Sequence, residues 1–272
     1  MANSVSTWVK RHSLVTYFIL AYAITWAVQI PLALKAQNLS QAPIPFSIHY
    51  LAGYGPMLSA IIVTWLTGGV GGLRELFERI LKWRVQPVWW LVAISPLALY
   101  MIVAFVLRLI QGQPMELSML GQVDFLPNIG LGTLFLWLLT YGIGEETGWR
   151  GFALPRLQKN RSALLATLIL WVFWALWHLP AFFYVYDAAI VIGFLLGILA
   201  GAIVFSWLYN STGGSILMVA LFHGLFNFTT GCTACKAGMI SAIISTLIMV
   251  WAVIVIILFK PTNLSHTERH VI

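Results

Sequence analysis

The sequence predicts an all-α fold, a polytopic membrane helix bundle, and three observations lead there. Hydrophobic residues fill 60% of the 272 positions and charged residues only 8%, where soluble domains carry about 25%. The apolar residues come in eight runs, each close to the roughly 20 residues a helix needs to cross a bilayer. Lys and Arg sit mainly in the short gaps between those runs. Lipid offers the backbone no hydrogen-bond partners, so unbroken apolar runs of this length must be helices that pair internally.

The runs cover residues 14–34, 48–67, 88–111, 130–153, 162–183, 188–209, 215–230 and 238–259. The first follows Lys10 and Arg11. It is longer than the roughly 7–15-residue apolar core of a signal peptide, which makes it a retained span. No internal repeat, long linker or room for a soluble domain is visible, so residues 1–272 read as one transmembrane domain. Between the second and third runs, 72–83 is too polar to span. There Leu73, Leu76, Phe77, Ile80 and Leu81 share one helical face, with Arg74, Glu78 and Lys82 on another. That pattern predicts a separate amphipathic helix at the membrane interface. In the sixth run Gly193, Gly197 and Gly201 recur every four residues, a spacing expected to let a neighbouring helix approach closely.

Charge sets the expected orientation. With the N-terminus in the cytoplasm, twelve of the fifteen Lys and Arg fall on the inner side. Only Lys35, Arg108 and Lys236 fall outside, along with the loop holding Glu116 and Asp124. The positive-inside rule then predicts a multi-pass protein of the cell membrane with both termini cytoplasmic. The same distribution accounts for the net charge of +7 as topology, with the lipid bilayer rather than nucleic acid as partner. Two cysteines provide no disulfide framework. Cys232 and Cys235, in C-x-x-C spacing, are expected to form a disulfide-capable outer loop.

Against this apolar background Gly144-Glu145-Glu146-Thr147-Gly148-Trp149-Arg150 stands out at the end of the fourth run. Charged groups at membrane depth are costly, and they are usually paired or functional. Glu146 and Arg150 are four residues apart, share a helix face and are expected to form an ion pair. Glu145, turned away by about 100°, is left without a partner in its own helix. His178 lies in the fifth run, and His223 and Asn227 share a face of the seventh. Rises of 1.5 Å per residue put Glu145 ~16 Å, His178 ~25 Å, His223 ~12 Å and Asn227 ~18 Å from the inner side. One polar pocket within the membrane can hold all four. His12, His49, His266 and His270 fall near termini or interfaces and receive no role.

A carboxylate and a histidine across a small gap can hold a water and take its proton. A second histidine with an amide can donate to the oxygen that becomes negative when the water attacks a carbonyl. The expected reaction is hydrolysis of a peptide bond by activated water, with Glu145 and His178 as the base pair and His223 and Asn227 as the oxyanion site. No cofactor is expected. The alternative is Zn²⁺ held by Glu145, His178 and His223 with an open position for water. Two other classes use the same buried groups: a proton-coupled transporter, and a non-catalytic scaffold or bacteriocin-immunity factor.

These residues resemble the CPBP family (CAAX protease and bacteriocin-processing, or Abi) of intramembrane proteases, which includes Rce1-type CAAX prenyl endopeptidases. The family pattern runs E-E-x-x-x-R, F-x-x-x-H, H-x-x-x-N. Glu145-Glu146-Thr147-Gly148-Trp149-Arg150 and His223-Gly224-Leu225-Phe226-Asn227 match the first and third. In the second, Trp174 stands where the pattern has Phe, four residues before His178. The motifs cover about 141–227. The resemblance implies Glu145 and His178 as activators of water, His223 and Asn227 as the oxyanion site, and Glu146 and Arg150 in a supporting role. It also implies a membrane-associated or lipidated protein or peptide as substrate.

Overall fold

The computed structural model describes residues 2–112, 120–123, 129–233, 235 and 239–272. Glu116, Asp124 and Lys236, used above for the outer side, lie outside the described residues. Among the described residues nine helices carry the fold: α1 (Ala2–Arg11), α2 (Ser13–Ala36), α3 (Gly55–Ile80), α4 (Pro87–Gln111), α5 (131–158), α6 (Ala163–Trp177), α7 (Val191–Ser211), α8 (Ile216–Thr230) and α9 (Ile240–Asn263). No strand occurs among the described residues.

Six segments among the described residues are each long and apolar enough to cross a membrane: Ser13–Ala36, Phe46–Ile80, Pro87–Gln111, Ala163–Phe183, Val191–Ser211 and Ile240–Asn263. The other two expected spans, α5 and α8, do not reach this standard alone. Helix α8 has only 15 residues, and α5 is interrupted by wider turns. Polarity is distributed inside out, as a lipid-facing bundle requires. Thr25, Gln29, Ser59, Glu146, Arg150 and Ser206 are buried, while Phe105, Leu109, Ile110, Ile257 and Leu258 face outward. The chain is a polytopic helical membrane protein.

The amphipathic segment expected at 72–83 is a second helix within α3, set off from the second span by non-helical backbone at Gly69 (φ 59°, ψ −150°) and ending at Ile80. Part of its face packs on protein: Leu76 and Ile80 are buried, and an Arg79 guanidinium N–H donates to Gly151 O at 2.7 Å. One expectation needs correction. The glycine stripe of α7 admits no close neighbour at Gly193 or Gly197, where a methyl group would meet open space. The close approaches fall instead around α5. A Cβ at Gly142 would lie 2.6 Å from Ala220 O in α8, and one at Gly148 2.5 Å from Pro56 Cβ in α3.

Caps and tethers then fix the helices around α5. Ser162 Oγ accepts from Leu165 N at the start of α6, and Ser215 Oγ from Met218 N at the start of α8. The Trp177 indole N–H donates to Thr25 Oγ1 at 2.8 Å, and Tyr22 OH to Phe173 O at 2.6 Å, so α6 is locked to α2. At the end of the bundle where α5 turns into α6, the segment after α9 is strapped down. Gln158 Nε2 donates to His270 O at 2.7 Å, and Asn210 Nδ2 to Asn263 O at 2.8 Å. Cys232 and Cys235 are joined by a disulfide.

Candidate active site

Helix α5 carries two stretches of π-helix, Leu138–Glu145 and Trp149–Ala153, on either side of Glu146–Gly148. Such wider i→i+5 turns are rare and gather at functional sites. They have no period of their own in the sequence, so the run reads there as an ordinary helix. Mutual close approach at Gly142 and Gly224 presses α5 against α8, with Leu138 packed where a Gly224 side chain would stand. That contact brings α8's His223 onto α5.

The two adjacent carboxylates have different surroundings. Glu146 Oε1 accepts from an Arg150 guanidinium N–H at 2.9 Å and pairs with His223 Nδ1 at 2.8 Å. The expected ion pair is therefore present, with neither side chain exposed to solvent, and His223 joins it as a third member. The Arg150 guanidinium lies between aromatic faces, 4.5 Å from the Trp174 ring centroid and 4.9 Å from that of Phe205. Such cation–π contacts strengthen when desolvated.

Glu145 is 2% exposed, so it is not turned to lipid. Its Oε2 accepts from the Trp174 indole N–H at 2.9 Å. The expectation that Glu145 lacks a partner holds within its own helix but not across the bundle. One turn on from Trp174, His178 is also buried, and its Nδ1 lies 2.7 Å from Trp174 O. A carbonyl only accepts, so Nδ1 carries the proton and the neutral ring keeps its lone pair on Nε2. The Trp174 ring also meets His223 edge-on at 5.7 Å. Glu145, His178 and His223 thus all touch Trp174, although no direct hydrogen bond joins Glu145 to His178 among the described residues.

Asn227 sits one turn beyond His223 on α8 and is half-buried. Its side-chain amide has no hydrogen-bond partner among the described residues. No three His, Cys, Asp or Glu side chains among the described residues are arranged to hold a metal ion. In the alternative zinc set of Glu145, His178 and His223, Glu145 Oε2 and Nδ1 of both histidines are engaged by other groups, which leaves Glu145 Oε1 and the two Nε2 atoms as the candidate ligands.

Sequence reasoning placed Trp174 in the second motif but missed that the set shares it, because an indole inside an apolar run looks like packing. It also missed His49, which is buried. Its Nδ1 lies 2.7 Å from Tyr184 OH and its Nε2 3.3 Å from Tyr141 OH, four residues before Glu145.

Comparison with known proteins points to one family. Residues 127–229 match the model of the Rce1-like type II CAAX prenyl endopeptidases. A 113-residue stretch is 35% identical to CAAX prenyl protease 2 of Methanococcus maripaludis. That stretch is 38% of this chain and spans 40% of the relative's length. The matched region contains all three motifs and the three helices that meet at Trp174. Over that stretch, which is less than half of this chain and of the relative, the sequence is similar to the Rce1-like CAAX prenyl endopeptidases.

Proposed function

We propose that this chain is an intramembrane endopeptidase that hydrolyses a peptide bond with a water activated by Glu145 and His178. The observation that carries the reading is the split between the two carboxylates. Glu146 is held through Oε1 by a cation and a histidine, while Glu145 accepts from a single indole N–H beside a histidine with a free ring lone pair. In this reading the water lies between Glu145 and His178 Nε2. Glu145 takes a proton as the water oxygen bonds to the scissile carbonyl carbon. The negative oxygen of the tetrahedral intermediate is met by the Asn227 amide and His223. His223 Nε2 donates there only as the imidazolium, since Nδ1 is already committed to Glu146. The C–N bond then breaks as the proton passes from Glu145 to the leaving amine.

The substrate class follows the relative, whose name states a CAAX prenyl protease: a membrane-associated or lipidated protein or peptide. The reaction uses no metal. The positive-inside count further supports both termini in the cytoplasm. The test is cleavage of carboxy-terminal CAAX peptides, prenylated and unprenylated, by the purified protein in nanodiscs. Wild type is expected to cut the prenylated peptide, retain activity in a chelator series and contain no stoichiometric zinc. H178A is expected to lose at least about a hundredfold in kcat. A wild type that cuts neither peptide, or an H178A variant that cuts equally well, overturns the reading. Stoichiometric zinc with activity lost to chelation overturns its metal-free form.

A further inference from the structure

We propose that Trp174 is a positioning residue that sets both halves of the water-activating pair at once, an inference resting on the reading above. Its indole N–H holds Glu145 Oε2 at 2.9 Å, and its backbone carbonyl holds His178 Nδ1 at 2.7 Å. The two contacts act on different atoms of the chemistry. The indole occupies one carboxylate oxygen and leaves Oε1 to receive a proton. The carbonyl fixes the tautomer and leaves Nε2 of His178 to accept from the same water.

The indole is itself held on several sides. Arg150 lies over its face at 4.5 Å, and the rings of Phe205 and His223 lie 6.2 and 5.7 Å away. Trp174 is 3% exposed, so the ring cannot swing out without emptying the centre of the bundle. The carboxylate it holds is correspondingly fixed. Phenylalanine, the residue of the family pattern at this position, keeps an aromatic face for Arg150 but has no N–H. The device therefore belongs to this chain's own side chain. The carbonyl contact to His178 would survive that exchange, which makes the indole contribution separable.

The experiment compares wild type, W174F, E145Q and the W174F/E145Q double variant. Loss of one hydrogen bond to a charged group predicts a fall in kcat of about tenfold or more in W174F, with KM within about twofold. A residue acting through Glu145 has nothing left to position once the carboxylate is gone, so W174F should change the residual rate of E145Q little. The Glu145 carboxylate band, identified in infrared difference spectra as the band lost in E145Q, should shift in W174F. An unshifted band overturns the inference, as does a W174F variant with wild-type kcat or one that lowers the E145Q rate by the same factor. The infrared result is independent of proteolysis. A wild type without peptidase activity therefore refutes the proposed function, whereas a shifted band would still establish the indole contact.

Discussion

Two neighbouring positions on one helix, Glu145 and Glu146, show how differently the same side chain can be used. Glu146 looks towards α8. There Arg150 and His223 share its Oε1, and both carboxylate and guanidinium are sealed from solvent. Glu145 looks towards α6 and finds one neutral donor. A carboxylate whose oxygen is shared by a guanidinium and an imidazole is a fixed part of the framework. One held by a single neutral hydrogen bond retains lone pairs for a proton. Composition is identical at the two sites, so partner geometry alone separates a structural role from a reactive one.

The sharpest way to break this contrast is to neutralise each carboxylate in turn. E145Q is expected to reduce kcat by roughly a thousandfold, within the range for loss of a general base, while the thermal midpoint in detergent stays close to wild type. E146Q should do the opposite first. It strands the buried Arg150 charge, and breaking a buried pair costs about 3–5 kcal/mol, seen as a large drop in the thermal midpoint. Equal loss of stability in both variants would erase the distinction.

A smaller effect is expected from the packing that brings α8 to Glu146. G142A would drive a methyl group to 2.6 Å from Ala220 O, an overpacking cost of about 1–3 kcal/mol. It should lower activity by shifting His223. G193A, at a position with open space around it, should be neutral or slightly stabilising, and its activity should equal wild type. Melting curves and cleavage rates of the two variants give the comparison.

The mildest expected effect lies away from the site, in the tail strapped across the α5–α6 end. Burial, with Arg79 and Lys82 close by, holds the docked His270 imidazole down at about 4, compared with 6.5 for an unperturbed ring. Glu75 and Glu78 line the same cleft. The released tail therefore binds a proton in that interval that the docked tail does not. Docking is at full strength above pH about 6.5 and weakens as the pH falls towards about 4. Hydrogen exchange of 264–272, corrected for intrinsic rates, should be faster at pH 5 than at pH 7. H270Q should remove the difference.

Much of the bundle is legible in residue order because a membrane span is a local property. Length and apolarity place α2, α4, α7 and α9 within a few residues of their structural bounds. Glu146–Arg150 is equally local, since positions four apart meet on any helical turn. The amphipathic helix after the second span was legible as well, because its apolar face repeats at helical spacing. The sharp turn at Gly69 that sets it off was not, since a left-handed φ there leaves no trace in the polar pattern. Spacing alone made Gly193 and Gly197 look like a docking face, because a repeat of small residues does not reveal whether a neighbour is present.

The sequence by itself determined a helical membrane bundle, the pairing of Glu146 with Arg150, and the helices on which Glu145, His178, His223 and Asn227 are carried. Only the tertiary structure decided that His223 turns to Glu146, and that Trp174 reaches Glu145 through its ring and His178 through its backbone. The reason is physical. Contacts within a helix follow from the 1.5 Å rise and 3.6-residue turn. Contacts between helices depend on crossing, rotation and wider turns, which are fixed only when all the partners pack together.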